Sequence, residues 1–148
     1  MQTVPKPLRP IWLDESNGEV NVIDQRSLPH ELVVLELQTV DDTIYAIQEM
    51  VVRGAPLIGI TAAYGVYLAV RNTPDGAAGD YLVTECARIR AARPTAVNLQ
   101  WAVDRVLAAI EGLPDDDRLD AARKTAGVIA EEEADNCRRI GRHGARII

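Results

Sequence analysis

Phenylalanine is absent from this sequence, and aromatic side chains make up only 4% of it. A core must therefore be assembled from Val, Ile, Leu and Ala, and a hydrophobic content of 47% over 148 residues supplies enough of them for a unit that folds alone. Cysteine is scarce, with Cys86 and Cys137 alone, which excludes a disulfide-dense secreted scaffold and a four-cysteine zinc site. Two reduced thiols inside a cell are the expected state. Positive charge is short as well: 16 Lys and Arg face 22 Asp and Glu, for a net charge of −6, so the basic footprint of a nucleic-acid binder is missing. The longest uncharged stretch, 54–70, is interrupted by Pro56 and by glycines and falls short of a membrane span, so it reads as a buried helix. Residues 1–12 show neither an apolar segment nor a cleavage site of the secretory kind. The expectation is a cytoplasmic protein with no membrane span.

What is there divides into two patterns, for which an α+β fold is expected. Apolar segments at 11–13 and 20–23 flank Glu15-Ser16-Asn17-Gly18, where Asn-Gly signals a hairpin because both residues tolerate positive φ. Residues 32–38 alternate well enough for a third strand, so residues 1–40 should hold a three-stranded antiparallel meander. From 41 to 148 the period becomes helical, and about five helices are expected within one domain. Thr39 and Asp42 stand at capping-box spacing, and Ile44, Ile47, Met50 and Val51 share a face. Gly54 is available as the left-handed cap of that helix, and Pro56 suits the first turn of the next. Thr95 stands where it can cap the fourth helix. In the fifth, Asp115, Asp116 and Asp117 complement the positive helix end, and Leu119, Ala122, Ala126, Ile129 and Ile140 carry the apolar face.

Two interhelical turns hold the candidate chemistry. Arg53 is embedded in the apolar run 51–59, where an unpaired buried charge would be costly. Arg53 beside the free amides of Gly54 and Ala55, just ahead of a helix start, suits a phosphate, because helix N-termini attract anions and Arg binds them bidentately. Equally open is an Arg that snorkels or pairs with a core carboxylate while Gly54 merely makes the turn. Arg93 offers a second cation in the turn 93–96, or else an ordinary solvated linker. A P-loop is excluded: Gly54 and Gly59 have its spacing, but Ile60 occupies the Lys position. His30 and His143 read as surface residues, Cys86 and Cys137 as small hydrophobes within helices, and Glu131-Glu132-Glu133 as a solvated face. No metal-ligand spacing or catalytic triad emerges, and no metal or cofactor is expected.

The segments Ile23-Asp24-Gln25-Arg26-Ser27-Leu28-Pro29, Val51-Val52-Arg53-Gly54-Ala55-Pro56-Leu57-Ile58-Gly59, Ala62-Ala63-Tyr64-Gly65 and Arg93-Pro94-Thr95-Ala96-Val97-Asn98-Leu99 together resemble the N-terminal part of the methylthioribose-1-phosphate isomerases, the aldose–ketose isomerases of methionine salvage. The closing stretch from Ala134, with Ile140-Gly141 and His143-Gly144, fits as well. Ribose-1,5-bisphosphate isomerases and the regulatory subunits of the initiation-factor 2B exchanger share these motifs in looser form. The resemblance implies that Arg53, Gly54, Ala55 and Arg93 contact the sugar phosphate. It also implies a homodimer and a Rossmann-like C-terminal domain that supplies a catalytic Cys, in a Thr-x-Cys-Asn context, and an Asp. The sequence stops before both motifs and Cys137 does not replace the first, so no catalytic residue is assigned and the chain alone is expected to be inactive. A missing C-terminal domain or a partner chain is expected to dock beyond Ile148, against helix faces carrying Ile129 and Ile140. The alternatives are a non-catalytic regulatory or assembly module and a part of a ribose-1,5-bisphosphate isomerase.

Overall fold

The computed structural model describes residues 8–76 and 78–147; the readings that concern the first seven residues, Ala77 and Ile148 lie outside the described residues. Strands β1 (Ile11–Asp14), β2 (Glu19–Ile23) and β3 (Val34–Leu37) form an antiparallel sheet in the order β1-β2-β3. In its register Leu13 faces Val20 and Val20 faces Leu37, while Ile11, Val22 and Leu35 stand opposite one another. The period of two thus gathers six aliphatic side chains on one face, and they join the core. The expected hairpin forms over residues 15–18, with Gly18 N–H donating to Asp14 O at 2.7 Å. Only Gly18 takes positive φ (73°); the Asn17 side chain instead bonds Glu19, accepting from its N–H at 3.0 Å. The third strand begins at Val34 rather than at residue 32, since Leu32 is solvent-exposed.

Helix α1 (Val40–Gln48) starts with the expected capping box: Thr39 Oγ1 accepts from Asp42 N–H, and the Asp42 carboxylate accepts from Thr39 N–H. Its end departs from expectation. The helix stops at Gln48, and Met50, not Gly54, takes the left-handed conformation (φ 55°) and lies half exposed rather than on the buried face. The turn falls there because it drives Val51 and Val52 into the core, where both are fully buried. Gly54 becomes the N-cap of α2 (Ala55–Arg71), at φ 94°, with Pro56 in the first turn as expected.

Helix α2 is buried without a break from Leu57 to Ala69 and packs on α1, α3 (Ala78–Ala92), α4 (Val97–Ile110) and α5 (Asp115–Gly144). Close approach needs small residues. A Cβ at Gly65 would stand 2.7 Å from Thr43 Cγ2 of α1, and one at Gly59 would stand 3.0 Å from Asn98 O of α4. The first residue of α4 follows Ala96, which has no side-chain cap, so Thr95 does not cap it. Leu99, Val103, Val106 and Ile110 are buried as expected from their spacing. In α5 the three aspartates fill the first turn, but only Ala122, Ala126 and Ile129 are buried. Leu119 and Ile140 are exposed, Ile140 at 71%, which corrects their placement on the core face. The helix outruns the elements it packs on, so 135–143 meet solvent throughout. Among the described residues no helix is long and apolar enough to cross a membrane.

The two kinds of helical glycine should respond oppositely to alanine. Gly65→Ala forces a Cβ into Thr43 and is expected to destabilise by about 1–3 kcal/mol. Gly127→Ala in α5, where nothing lies within 4 Å, should stabilise by about 0.5–1 kcal/mol. Thermal denaturation followed by circular dichroism separates the pair.

Candidate functional site

The start of α2 sets out unpartnered donors. Ala55 and Leu57 belong to the first turn, whose N–H groups have no intrahelical acceptor, and Gly54 carries no side chain to cap them. The Gly54 carbonyl is already engaged, accepting from Ile58 N–H at 3.0 Å. Arg53 comes one residue earlier. It is exposed rather than embedded in the core, because the bend that buries Val51 and Val52 turns the chain outward at Arg53. The expectation of an Arg embedded in the core is corrected, and no core carboxylate pairs with it among the described residues.

Arg53 and Arg93 nevertheless stand apart from the other arginines that precede residue 138. Arg9, Arg26, Arg88, Arg90, Arg105, Arg118 and Arg123 all pair with carboxylates. Arg71 donates to the Gly18 and Asn17 carbonyls. Between Arg9 and Arg123, only Arg53 and Arg93 have neither an ion pair nor a hydrogen-bonded side chain among the described residues. Acids outnumber bases 22 to 16 in the sequence, so free guanidinium groups here are not for want of carboxylates.

Arg53 and Gly54 line a cavity of about 620 Å³ between the sheet, the start of α2 and the middle of α5. Its walls are mostly apolar, with Ile11, Pro56, Leu57, Ile60 and Ala130 among them, and Glu133, Cys137 and Arg138 face it from α5. Ala55 sits beside this cavity without lining it, and Arg93 lies outside it in the α3–α4 turn, where its carbonyl accepts from Ala96 N–H at 3.0 Å. The contact of Gly59 with Asn98 puts the starts of α2 and α4 at the same end of the helices, so the two arginines share that end. Among the described residues no cluster of three His, Cys, Asp or Glu side chains forms that could hold a metal ion. Burial pushes the Cys86 thiol up to about 11, which keeps it protonated and inert.

One pairing beside the site had no counterpart in the reading by residue type. Asp24 is buried, and its carboxylate accepts from the Arg26 N–H, Nε and Nη2 at 3.0, 2.9 and 2.7 Å. The Arg26 hydrogen bonds hold the Asp24 carboxyl below the usual carboxylate range, and Asp24 with Tyr45 raises Arg26. Between the two, Gln25 N–H donates to Val51 O at 3.0 Å and so ties the strand end to the turn that carries Arg53. Gln25 also lines the cavity. The signal for it was its place in Ile23–Pro29, a stretch whose polar residues carry no periodicity.

Residues 51–148 match the Initiation factor 2 subunit family. The chain is 56% identical to a protein named methylthioribose-1-phosphate isomerase from Desulfosudis oleivorans, over 99% of this chain and 40% of that protein. Among solved structures it is similar to the translation initiation factor eIF-2B subunit delta of A. fulgidus, with a TM-score of 0.86 and 32% identity over 95% of this chain and 42% of that one. It is also similar to the 5-methylthioribose 1-phosphate isomerase of Pyrococcus horikoshii, with a TM-score of 0.77 and 30% identity over 87% of this chain and 37% of that one. The chain thus spans about two-fifths of the length of the curated relatives it matches.

Stability should distinguish the free arginine from the clasped one. Arg53→Ala is expected to change unfolding free energy by less than about 0.5 kcal/mol, as for a surface residue without partners. Asp24→Asn should cost about 1–2 kcal/mol at neutral pH, since it breaks charge-assisted hydrogen bonds of a buried carboxylate. Folding lowers the Asp24 pKa from 3.8, so its contribution is present above that value and is lost as pH falls through the folded-state value. The gap between wild type and Asp24→Asn in urea denaturation should therefore close at acid pH.

Proposed function

The chain belongs to the initiation factor 2 subunit family, and we propose that within it these residues form the sugar-phosphate-binding part of an S-methyl-5-thioribose-1-phosphate isomerase. The observation that carries this reading is the unpaired Arg53 at the mouth of an apolar cavity, one residue before a helix start whose amides are free. A phosphate draws on both, and the apolar walls suit the uncharged, sulfur-bearing end of the sugar. Identity of 56% to a protein bearing that isomerase name supports the same substrate class. On this reading Arg53, Gly54 and Ala55 form the near side of the phosphate site, and Arg93, in the turn before α4, supplies a second cation at the same end of the helices.

The reaction proposed for the whole enzyme turns an aldose 1-phosphate into its ketose, with ring opening and transfer of hydrogen from C2 to C1. That transfer needs an acid or base poised near neutrality. We assign no such role within this chain: binding groups cluster here, and the 148 residues are read as binding the sugar phosphate without converting it. The larger part of each isomerase relative lies outside the match, which supports that division. Methionine salvage, a cytoplasmic location and a homodimer belong to the same proposal.

A second reading follows from the similarity to the eIF-2B subunit delta, at a TM-score of 0.86. On that reading the fold serves assembly, and its cavity takes no sugar phosphate. Calorimetric titration of the purified chain with methylthioribose 1-phosphate decides between them. Measurable binding that Arg53→Ala weakens about 10- to 150-fold, the effect of losing a charged hydrogen bond of 1.5–3 kcal/mol, supports the substrate site. Arg93→Lys should cost less, because the charge remains in a more open turn. No heat of binding, or binding indifferent to Arg53→Ala, favours the assembly module.

A further inference from the structure

We infer that Gln25 is a specificity residue of the same cavity, its side-chain amide bonding a ring hydroxyl of the bound sugar. The inference rests on the proposed sugar-phosphate site and adds to it the group that reads the sugar rather than the phosphate. Among the described residues lining the cavity, the polar side chains besides Gln25 are the charged groups Arg9, Arg53, Glu133 and Arg138, and the thiol of Cys137. Arg9 is held by Glu131 at 3.1 Å, which draws it toward α5, and Arg138 pairs with Asp135 of its own helix at 3.5 Å. Gln25 alone offers a neutral group with both donor and acceptor, the combination a hydroxyl matches. Its amide makes no hydrogen bond among the described residues, although the residue is only part-exposed.

Its backbone is fixed to an unusual degree for a loop. Asp24 N–H donates to Val33 O at 2.9 Å, Gln25 N–H to Val51 O at 3.0 Å, and Ser27 N–H to Asp24 O at 3.2 Å. The Asp24 carboxylate then clasps Arg26 from both sides of its guanidinium and backbone, so residue 25 is held between two anchored neighbours. The main-chain hydrogen bond to Val51 ties it to a residue two positions before Arg53. The phosphate contact and the hydroxyl contact are therefore set at a constant separation by one hydrogen bond, while neither side chain takes part in holding the loop. Such pre-organisation leaves little loop entropy to be lost on binding.

Titration calorimetry tests this with methylthioribose 1-phosphate, its monodeoxy analogues and inorganic phosphate, on wild type, Gln25→Leu and Arg53→Ala. Gln25→Leu should weaken the sugar phosphate about three- to tenfold, the loss of one neutral hydrogen bond, and leave inorganic phosphate unchanged. One deoxy analogue should bind wild type correspondingly more weakly yet bind Gln25→Leu as well as the parent sugar does. That coupling would not arise from a purely structural role. Arg53→Ala should weaken sugar phosphate and inorganic phosphate alike. Wild-type binding that Gln25→Leu leaves intact, or a deoxy penalty that survives in Gln25→Leu, overturns the inference while the substrate site stands. Absence of any binding to wild type overturns the functional reading and this inference with it.

Discussion

The structure depends on burying α2 from every side. A helix apolar around its whole circumference has no solvent face, so it must be the centre of the fold rather than part of its shell. Here thirteen consecutive residues, Leu57 to Ala69, are buried. The sheet and four helices are arranged as its cover, each contributing one apolar face and turning the other to water. Glycine, alanine and β-branched residues along α2 bring its neighbours to van der Waals contact with the helix backbone, as at Gly59 and Gly65.

Burying α2 also decides where ligand chemistry is possible. The carbonyl end runs out through Arg71, which donates to the β1–β2 turn and closes that side. The amide end opens instead on a cavity, with glycine as N-cap and proline in the first turn, so no side-chain cap satisfies the leading donors among the described residues. A central helix thus presents its positive end to an apolar hollow, and Arg53 adds a full charge at the rim. In a low-dielectric hollow such a cluster attracts an anion more strongly than the same groups would on an open surface.

The charge pattern is consistent with this division of labour. Carboxylates outnumber cations, and most arginines are tied to one, across elements in the pairs Arg9–Glu131, Arg88–Asp41 and Arg105–Glu132. Such exposed pairs contribute little individually. What they accomplish is to engage arginines such as Arg9, which itself lines the cavity, so that Arg53 stands there as a guanidinium without a carboxylate partner among the described residues. The Asp24–Arg26 clasp serves the loop beside it in the same manner.

The sequence by itself determined the element types, because hydrophobic period is a local property. Alternation over 11–23 and 32–38, the capping box at Thr39 and Asp42, and the uncharged run at 54–70 each specify an element from neighbouring residues alone. It also pointed to Arg53, Gly54 and Arg93, since a cation beside a helix start is a local pattern too. Tertiary structure decided the rest. Met50 rather than Gly54 takes the left-handed turn because the core demands Val51 and Val52, and that same bend carries Arg53 outward. Ile140 fits the apolar stripe of α5 yet is exposed, because a stripe cannot tell how far its partner helices extend. Gln25 enters the site only through a hydrogen bond to Val51, a residue distant in sequence, and no spacing rule encodes a contact made by the fold as a whole.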